Sequence, residues 1–308
     1  MKLHCDLCGN KSIFYNRTYE GVKFCKKCFK KNIKEKVRRN ISKHSMLSHD
    51  DRVAVGVSGG KDSLALLSIL HKLSRKHPRS ELIAVTIDEG IKNYREEAIK
   101  LAKEFCKELG VEQFVFSFKE LFGKTLDELV LEKKDELSEC SYCGILRRRV
   151  LDEAGKRVKA NKIVTAHNLD DEIQTFLLNV FHGGIERIAR LNVQIPNGQN
   201  AFIRKIKPLR EVYEKEVALY AYVSELKFQT IPCPYAANCL RNDIRSMLNQ
   251  LEEKHPGAKY SCYRSKERLT DVLKKHSGNL EIKNCRICKS PSSSDICEVC
   301  RTLCRVST

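Results

Sequence analysis

Apolar runs alternate with amphipathic segments through the middle of the chain, and this alternation predicts its architecture. Runs rich in β-branched and apolar residues predict four strands, at 52–58, 81–88, 113–118 and 162–166. Helical spacing of apolar positions predicts three helices, at 62–76, 93–110 and 169–181. Strands that alternate with helices predict an α/β domain with a doubly wound parallel sheet, covered by helices on both faces.

The remaining segments predict less regular structure. We expect residues 185–210 to be irregular, 210–226 to form an amphipathic helix, 231–248 to begin extended and end helical, and 254–260 to break the chain. The predicted domains are an N-terminal zinc ribbon (1–35), a basic linker helix (36–50), a catalytic α/β domain (51–250) and a C-terminal segment with a second zinc ribbon (251–308).

The two ribbons are predicted from cysteine spacing. The chain has 15 cysteines, and thiols of a cytoplasmic protein stay reduced, so regular pairs indicate metal ligands rather than disulfides. Eight of them form two CxxC…CxxC sets, Cys5, Cys8, Cys25 and Cys28, and Cys285, Cys288, Cys297 and Cys300. Four thiolates make a closed structural Zn²⁺ site, so we expect one zinc in each ribbon and no chemistry there. We interpret Cys106, Cys262 and Cys304 as non-ligands.

The charge of the chain points to a polyanionic partner. The formal net charge is +18, with ten Lys/Arg and one acid between Lys23 and Lys43. That basic stretch also fits a simple solvated helix face, an alternative that charge alone leaves open. No apolar run is long enough to span a membrane, and the N-terminus has no signal-peptide pattern, so we expect a cytoplasmic protein without a membrane partner.

The stretch "SGGKDS" after the first strand carries the first candidate site. Glycines before a helix leave backbone N–H groups free for phosphate, and the helix N-terminus adds partial positive charge. A Walker A loop has a hydroxyl residue after its lysine, but here Asp62 follows Lys61. The predicted nucleotide-binding residues of the loop are Val57, Ser58, Gly59, Gly60, Lys61, Asp62 and Ser63.

This loop resembles the PP-loop of the ATP pyrophosphatases, a superfamily that cleaves ATP between its α and β phosphates and adenylates an acceptor oxygen. The resemblance implies that the loop grips pyrophosphate and that Asp62 helps to hold Mg²⁺, a hard cation that prefers carboxylate oxygen. "VTIDEG" also resembles the superfamily, which places adenine near the backbone of Thr86 and Ile87 and the ribose near Asp88.

"AHNLDDEIQT" resembles the second signature of the same superfamily. Ala166, His167 and Asn168 would lie near the α-phosphate. Asp170 or Asp171 would bind metal or sugar, and the resemblance favours Asp171. The alternative is that these acids only begin a helix, where the helix dipole favours them.

The CxxC pair Cys140 and Cys143 has no second pair nearby, so a third ligand is needed. Cys233, flanked by prolines, is the best candidate, and Cys239 is a substitute. Three cysteines suit a 4Fe–4S cluster with one open iron that can bind an exogenous sulfur. A redox dithiol that forms a disulfide or persulfide, or a pair of buried inert thiols, are the alternatives.

Seven features in order then resemble the tRNA 2-thiouridine synthetases of the TtuA/NcsA type: the N-terminal CxxC set, SGGKDS, CxxCG followed by Arg, AHNLDDE, "KPLREVYEKEVALYA", CPY before "RNDIR", and the C-terminal CxxC set. The resemblance implies that Cys140, Cys143 and Cys233 ligate the cluster and that Asp62, Arg147 and Asp171 are catalytic. Arg147 to Arg149 could instead form a phosphate-binding surface. Ala166 stands where the family often has Gly.

The activity that the resemblance implies is ATP-dependent 2-thiolation of a tRNA uridine. Uracil O2 would be adenylated with loss of pyrophosphate, and sulfur would then replace the adenylated oxygen. We expect the wobble uridine 34 as the target, with T-loop uridine 54 as the alternative. The sulfur donor would be sulfide or a ubiquitin-like thiocarboxylate carrier protein, and a homodimer is implied as well. A lysidine-synthetase-like ligase and a non-enzymatic zinc-ribbon RNA-binding protein are the competing hypotheses.

Overall fold

The computed structural model of the chain describes residues 4–75, 77–133, 137–191, 202–236, 239–276 and 282–307. Its first part contains strands β1 (Tyr15–Arg17) and β2 (Val22–Phe24), helix α1 (Lys26–Lys43), strand β3 (Arg52–Gly56), helix α2 (Lys61–Ser74), strand β4 (Glu81–Asp88), helix α3 (Arg95–Leu109) and strand β5 (Glu112–Ser117). Next come helices α4 (Phe118–Phe122), α5 (Leu126–Glu132) and α6 (Glu139–Arg157), strand β6 (Lys162–Val164), helices α7 (Leu169–Phe181) and α8 (Ile185–Ala189), and strand β7 (Arg204–Ile206).

The C-terminal part of the structure is mainly helical. It contains helix α9 (Glu214–Val223), a short 3₁₀ helix (Pro234–Ala236), helices α10 (Leu240–Lys254) and α11 (Ala258–His276), strands β8 (Lys283–Asn284) and β9 (Pro291–Ser292), and helix α12 (Glu298–Ser307). Among the described residues, no helix combines the length and apolar character that crossing a bilayer requires.

The central sheet of the described chain has five parallel strands in the order β5-β4-β3-β6-β7. Helices cover both faces, because alternate strand residues enter different cores. Val53 and Val55 pack with α2, α3 and α9 on one face, whereas Ala54 and Ile83 pack with α5 and α6 on the other. The predicted doubly wound α/β fold is therefore confirmed.

The order of the strands determines where a ligand-binding crevice forms at the edge of the sheet. From β3 the chain moves outward through β4 and β5, then returns to β6 on the other side of β3. The loops after β3 and β6 diverge at this reversal, which is where open parallel sheets bind ligands, beyond the carboxyl ends of the strands.

Several sequence-based expectations differ from the structure. Residues 185–210 include α8 and the edge strand β7, so the prediction of an irregular segment was wrong there; residues 192–201 lie outside the described residues. The break at 254–260 is a turn at Pro256 and Gly257, but α11 follows it, which was not predicted. The basic helix expected at 36–50 is the second half of a helix that begins at Lys26 and ends at Lys43.

Both terminal modules pack on the α/β domain. Phe29, Ile33 and Val37, spaced by four residues along α1, are fully buried in the same core as α2 and α9. The buried Arg17 Nε lies 2.6 Å from Glu216 Oε1 of α9 and fixes the N-terminal hairpin further. At the other end, α12 packs on the second core through Val299 and Leu303.

Candidate ATP and cysteine-cluster site

The loop after β3 leads directly into α2 and leaves its N-terminus open. Gly60, at the N-cap of α2, provides no side-chain cap for the first turn, so the N–H groups there can bind an anion. Ser63 Oγ accepts from Ser58 N at 3.1 Å and donates to Gly60 O at 2.9 Å, which closes the loop on itself. Gly59 has φ +84°, and a Cβ there would lie 2.2 Å from the carbonyl oxygen of Ala98 in α3. Only glycine fits this position.

Carboxylates surround the lysine of this loop. Lys61 Nζ lies 2.8 Å from Asp62 Oδ2 and 3.0 Å from Glu214 Oε1. Burial raises the pKa of Asp62, although Lys61 opposes the shift, and Asp171 and Glu214 raise it further. Asp62 Oδ1 is buried without a hydrogen-bond partner. An unsatisfied carboxylate oxygen beside two further acids fits a hard divalent cation.

The end of β4 lies against the same loop. Thr86 is fully buried, and its Oγ1 donates to Val57 O at 2.8 Å while Gln113 Nε2 donates to Thr86 Oγ1 at 2.7 Å. The carbonyl of Ile87 accepts from Arg95, and Asp88 Oδ1 accepts from Gly90 N at 2.9 Å. The Thr86 side chain thus holds the loop in place.

The two candidate aspartates that follow β6, Asp170 and Asp171, differ in the partners of their carboxylate oxygens. Both oxygens of buried Asp170 are used internally, one by Lys259 and one by Glu214 N at 2.8 Å. Asp171 forms a reciprocal capping box with Asn168, at 3.0 and 3.1 Å, which uses its Oδ2. Asp171 is the better placed of the two for a ligand, since Asp170 is enclosed by protein partners.

His167 stands beside this capping box, and Thr165 Oγ1 lies 2.8 Å from its Nδ1. The side chain of His167 is exposed, and partial desolvation and then the cation Lys207 hold its pKa below the ordinary value. The ring is therefore neutral at pH 7. Ala166 packs partly buried at the edge of the core.

The cysteine pair lies at the first turn of α6, which was not predicted as a helix. Helices that precede a parallel strand run antiparallel to it, so this turn lies at the carboxyl edge of the sheet, with the phosphate loop. Cys140 Sγ donates to Tyr235 O at 3.2 Å, which brings the Cys233–Tyr235 loop against α6. Burial raises the pKa of both Cys140 and Cys143, and Cys233 contributes electrostatically to each shift. Cys239 also contributes to the shift of Cys140.

The trio is brought together by the Cys140–Tyr235 contact but is less tightly packed than either ribbon set. The sulfurs of each ribbon set lie within 4.8 Å of one another, and the trio does not form such a group in the described residues. A four-iron cluster is larger than one ion and needs its thiolates farther apart. Arg147 Nη2 donates to Cys143 Sγ at 3.2 Å, and hydrogen bonds to sulfur are a usual feature of iron–sulfur sites.

A chain of charged contacts links the phosphate loop to the cysteine pair. Arg95 Nη1 donates to Ser58 O at 3.1 Å, and its Nε lies 2.6 Å from Glu89 Oε2. Glu89 Oε1 lies 2.9 Å from Nη2 of Arg147, which in turn contacts Cys143. The predicted phosphate loop and cysteine pair are therefore joined through three side chains.

Sequence reasoning proposed Arg147 but not Glu89, Arg95 or Glu214, which the structure places beside the phosphate loop and the cysteine pair. The only sequence signal for Glu89 was its place one residue after Asp88, at the carboxyl end of a strand. Arg95 and Glu214 begin helices α3 and α9, where nothing in the local pattern marks them as functional.

The two sets of four cysteines bring their sulfurs together at opposite ends of the chain, as the ribbon spacing predicted. Arg149 of α6 donates to Cys297 Sγ at 3.4 Å and so links the C-terminal ribbon to the helix that carries the cysteine pair. The donor chemistry of both sets fits Zn²⁺.

Comparison with known proteins agrees with this geometry. The PP-loop domain family matches residues 29–252, which defines the class of protein. The tRNA 2-thiolation protein NcsA of Haloferax volcanii is 33% identical over 98% of each chain. The tRNA-5-methyluridine(54) 2-sulfurtransferase of Pyrococcus horikoshii is 34% identical over 97% of this chain and 93% of its own.

Among solved structures, the U34-tRNA thiolase NcsA of Methanococcus maripaludis, determined with its [4Fe–4S] cluster, superposes with a TM-score of 0.86. It is 35% identical, and the match covers 98% of this chain and 96% of that one. The chain therefore belongs to the PP-loop family and, within it, to the tRNA 2-thiolation proteins of the NcsA/TtuA type.

Proposed function

We propose that this protein is an ATP-dependent tRNA-uridine 2-sulfurtransferase that adenylates the C2 oxygen of a uridine and replaces it with sulfur. The observation that carries the proposal is the continuous path of contacts from Ser58 of the phosphate loop to Cys143. An ATP pocket and a set of sulfur ligands that share one crevice can act on a single base. Neither a simple ATP-binding fold nor an RNA-binding ribbon protein requires that arrangement.

The loop residues would bind and activate ATP. The open N-terminus of α2 and Lys61 would hold the departing pyrophosphate, with the loop from Val57 to Ser63 as the cradle. Asp62, with its unsatisfied Oδ1, and Asp171 would hold Mg²⁺ on the phosphates. Neutral His167 would meet the α-phosphate as a hydrogen-bonding group without adding charge.

The nucleoside end of ATP would lie at the end of β4. The backbone near Thr86 and Ile87 would meet adenine, and Asp88 the ribose. Arg95 already occupies the Ile87 carbonyl in this structure, so the adenine contact falls to the neighbouring backbone groups.

Cys140, Cys143 and Cys233 would hold a 4Fe–4S cluster. When bound, the cluster would supply one iron without a protein ligand, able to carry the incoming sulfur. Arg147, whose side chain is 53% exposed, would reach the reacting base and stabilise negative charge on its C2 substituent.

The bonds balance without a net redox change. Uracil O2 attacks the α-phosphorus of ATP and pyrophosphate leaves. Sulfur at the oxidation level of sulfide then adds to C2, and the C2–O bond breaks so that the former carbonyl oxygen departs as part of AMP. Activation is needed because a carbonyl oxygen leaves poorly, and holding base and ATP together supplies much of the rate.

We propose tRNA as the substrate, bound in part by the basic helix α1, and uridine 34 as the target. The full-length similarity to a U34-tRNA thiolase supports this position, and the Pyrococcus relative keeps uridine 54 as the alternative. Sulfide or a thiocarboxylate carrier protein would donate the sulfur, and a homodimer remains our expectation. A cytoplasmic location is supported by the thiol content and by relatives named as cytoplasmic.

The test is thiolation of defined tRNA transcripts by anaerobically purified protein with ATP, Mg²⁺ and sulfide, followed by mass spectrometry of the nucleosides. We expect 2-thiouridine, lost when uridine 34 is replaced by cytidine. Loss only on replacing uridine 54 would move the target to the T-loop. In a parallel reaction that also contains lysine, an ATP-dependent lysine adduct on cytidine, formed by protein without iron, would identify a lysidine-type ligase, and no modification in either reaction would contradict the enzyme assignment.

A further inference from the structure

Glu89 is a buried carboxylate held between two guanidinium groups. Its side chain is 4% exposed, with Oε2 2.6 Å from Arg95 Nε and Oε1 2.9 Å from Arg147 Nη2. A charge so enclosed is costly to keep unless its partners are fixed around it. Glu89 forms an ion pair with each arginine, and this attraction favours positions of both guanidinium groups next to its carboxylate.

The first arginine ties together two loops of the nucleotide pocket. Buried Arg95 donates to Ser58 O at 3.1 Å and also to the carbonyl of Ile87. Gln229 adds a parallel link, since its backbone N donates to Gly59 O at 3.1 Å and its side chain to Tyr94 O at 2.5 Å. The phosphate loop and the start of α3 are thus held as one unit.

The second arginine faces the cysteine pair. Arg147 Nη2 donates to Cys143 Sγ at 3.2 Å and its side chain remains half exposed. A free arginine side chain samples many rotamers, and ordering it costs conformational entropy. The pair with Glu89 restricts this freedom before any substrate arrives.

We propose that Glu89 is a positioning residue that orients Arg147 at the cluster ligand Cys143 and, through Arg95, aligns it with the phosphate loop. This inference rests on the proposed function. Glu89 is too buried to touch the base, so it acts through Arg147. Displacing a reacting group by about 1 Å can cost about 100-fold in rate, and that is the loss we expect from removing the Glu89 charge.

The first experiment measures 2-thiouridine formation by the cluster-loaded protein with Glu89→Gln, Glu89→Asp and Arg147→Ala. Glu89→Gln should lower kcat about 100-fold and change the KM for ATP by less than about threefold. Glu89→Asp, which keeps the charge, should recover part of the rate. In an Arg147→Ala background, Glu89→Gln should have little further effect, because both changes remove the same interaction. Additive losses would overturn the inference.

Glu216→Gln is the matched control. Glu216 of α9 is also a buried carboxylate between two cations, Arg17 at 2.6 Å and Lys36 at 3.3 Å, but these partners belong to the N-terminal hairpin and α1. Both variants should lower the melting temperature. Only Glu89→Gln should lower kcat at saturating tRNA. A similar kcat loss in both variants would show that Glu89 has a structural role alone.

The reduction potential of the cluster gives a readout independent of turnover. Nearby charge and hydrogen bonds to sulfur tune this potential. Glu89→Gln removes a negative charge next to Arg147, which donates a hydrogen bond to Cys143. Because less negative charge near the cluster favours its reduced form, the midpoint potential should rise. Glu216→Gln should leave the midpoint potential unchanged. If the wild type carries a cluster but thiolates no tRNA, the proposed function fails while this measurement still decides the Glu89 link. An unchanged midpoint potential in Glu89→Gln would overturn the proposed link between Glu89 and the cluster. A wild-type protein without any cluster would overturn both this link and the proposed function.

Discussion

Replacing Gly59 by alanine tests how closely the phosphate loop is built against helix α3. A Cβ at this position would lie 2.2 Å from Ala98 O and 2.9 Å from Ala98 Cα, both backbone atoms that cannot rotate away. Side-chain carbons do not approach closer than 3.0 Å, so loop or helix must move by about 0.8 Å. The positive φ of +84° adds a second cost.

The two costs can be estimated separately. Left-handed backbone costs an alanine about 1–2 kcal/mol, and an extra carbon in a packed site costs about 1–3 kcal/mol. The sum, about 2–5 kcal/mol, corresponds to a fall of roughly 3–8 °C in the melting temperature of a 308-residue chain. Because the loop itself is displaced, binding of a non-hydrolysable ATP analogue should be lost as well.

Two other glycines separate these costs. Gly110 has φ +67°, and no atom lies within 4 Å of the point where an alanine Cβ would be, so Gly110→Ala should cost only the backbone contribution, about 1 kcal/mol. Gly60 has φ −83°, and its Cβ would lie 3.5 Å from Ser58 Oγ, so Gly60→Ala should be nearly neutral for stability. The melting temperatures should fall in the order Gly60→Ala, Gly110→Ala, Gly59→Ala. If Gly59→Ala is no less stable than Gly110→Ala, the close approach to Ala98 is refuted.

Three further predictions concern stability, zinc and tRNA. Burial would raise the pKa of Glu172, but its two lysine partners outweigh burial and hold that pKa at about 2. The ionised carboxylate of Glu172 therefore stabilises the fold above pH 4.5. This stabilisation is lost as the pH falls towards 2. Between about pH 6 and about pH 3, denaturant unfolding should show the stability advantage of the wild type over Glu172→Gln shrinking by about 2 kcal/mol, and a constant difference would contradict the assigned pairing. Cys297→Ser should lower bound zinc from two to one per chain by elemental analysis, whereas two retained zincs would exclude this cysteine as a ligand. Affinity for tRNA should fall steeply with salt, and Lys27→Ala with Lys31→Ala should reduce the log–log slope by about 2; an unchanged slope would exclude α1 from the phosphate contacts.

The central sheet was predictable because its strands are continuous apolar runs, and the edge strand β7 was not. Buried parallel strands carry apolar residues on both faces, which makes them visible in sequence. Strand β7 has three residues, Arg204, Lys205 and Ile206, and short charged strands are typical of sheet edges. Its pairing with β6 depends on the sheet already being present.

Helix α11 was missed for a different reason. Its most buried side chains include Lys266, Thr270 and Tyr263, which an apolar periodicity does not register. Lys266 is buried because it pairs with Glu172 of α7, an interaction across 94 positions of the chain. Long-range charge pairs of this kind decide which polar faces are buried, and no local pattern predicts them.

The candidate site likewise has one part that could be predicted from the sequence and another that could not. Residues of the phosphate loop and the cysteine sets are close in sequence and fall in recognisable spacings, so they could be predicted. Glu89 and Arg147 lie 58 positions apart, and only the fold brings them together. The contacts that connect the two halves of the site are therefore the part that sequence reasoning did not find.

We expect adenylation and sulfur transfer to be coupled in this one protein, and both can be followed on the same tRNA. With ATP labelled at the α-phosphate, AMP and 2-thiouridine should form in equal amounts. Asp62→Ala should abolish both, whereas Cys233→Ser should still release pyrophosphate and yield adenylated tRNA without thiolation. Thiolation that consumes no ATP, or full thiolation by Cys233→Ser, would contradict this coupling.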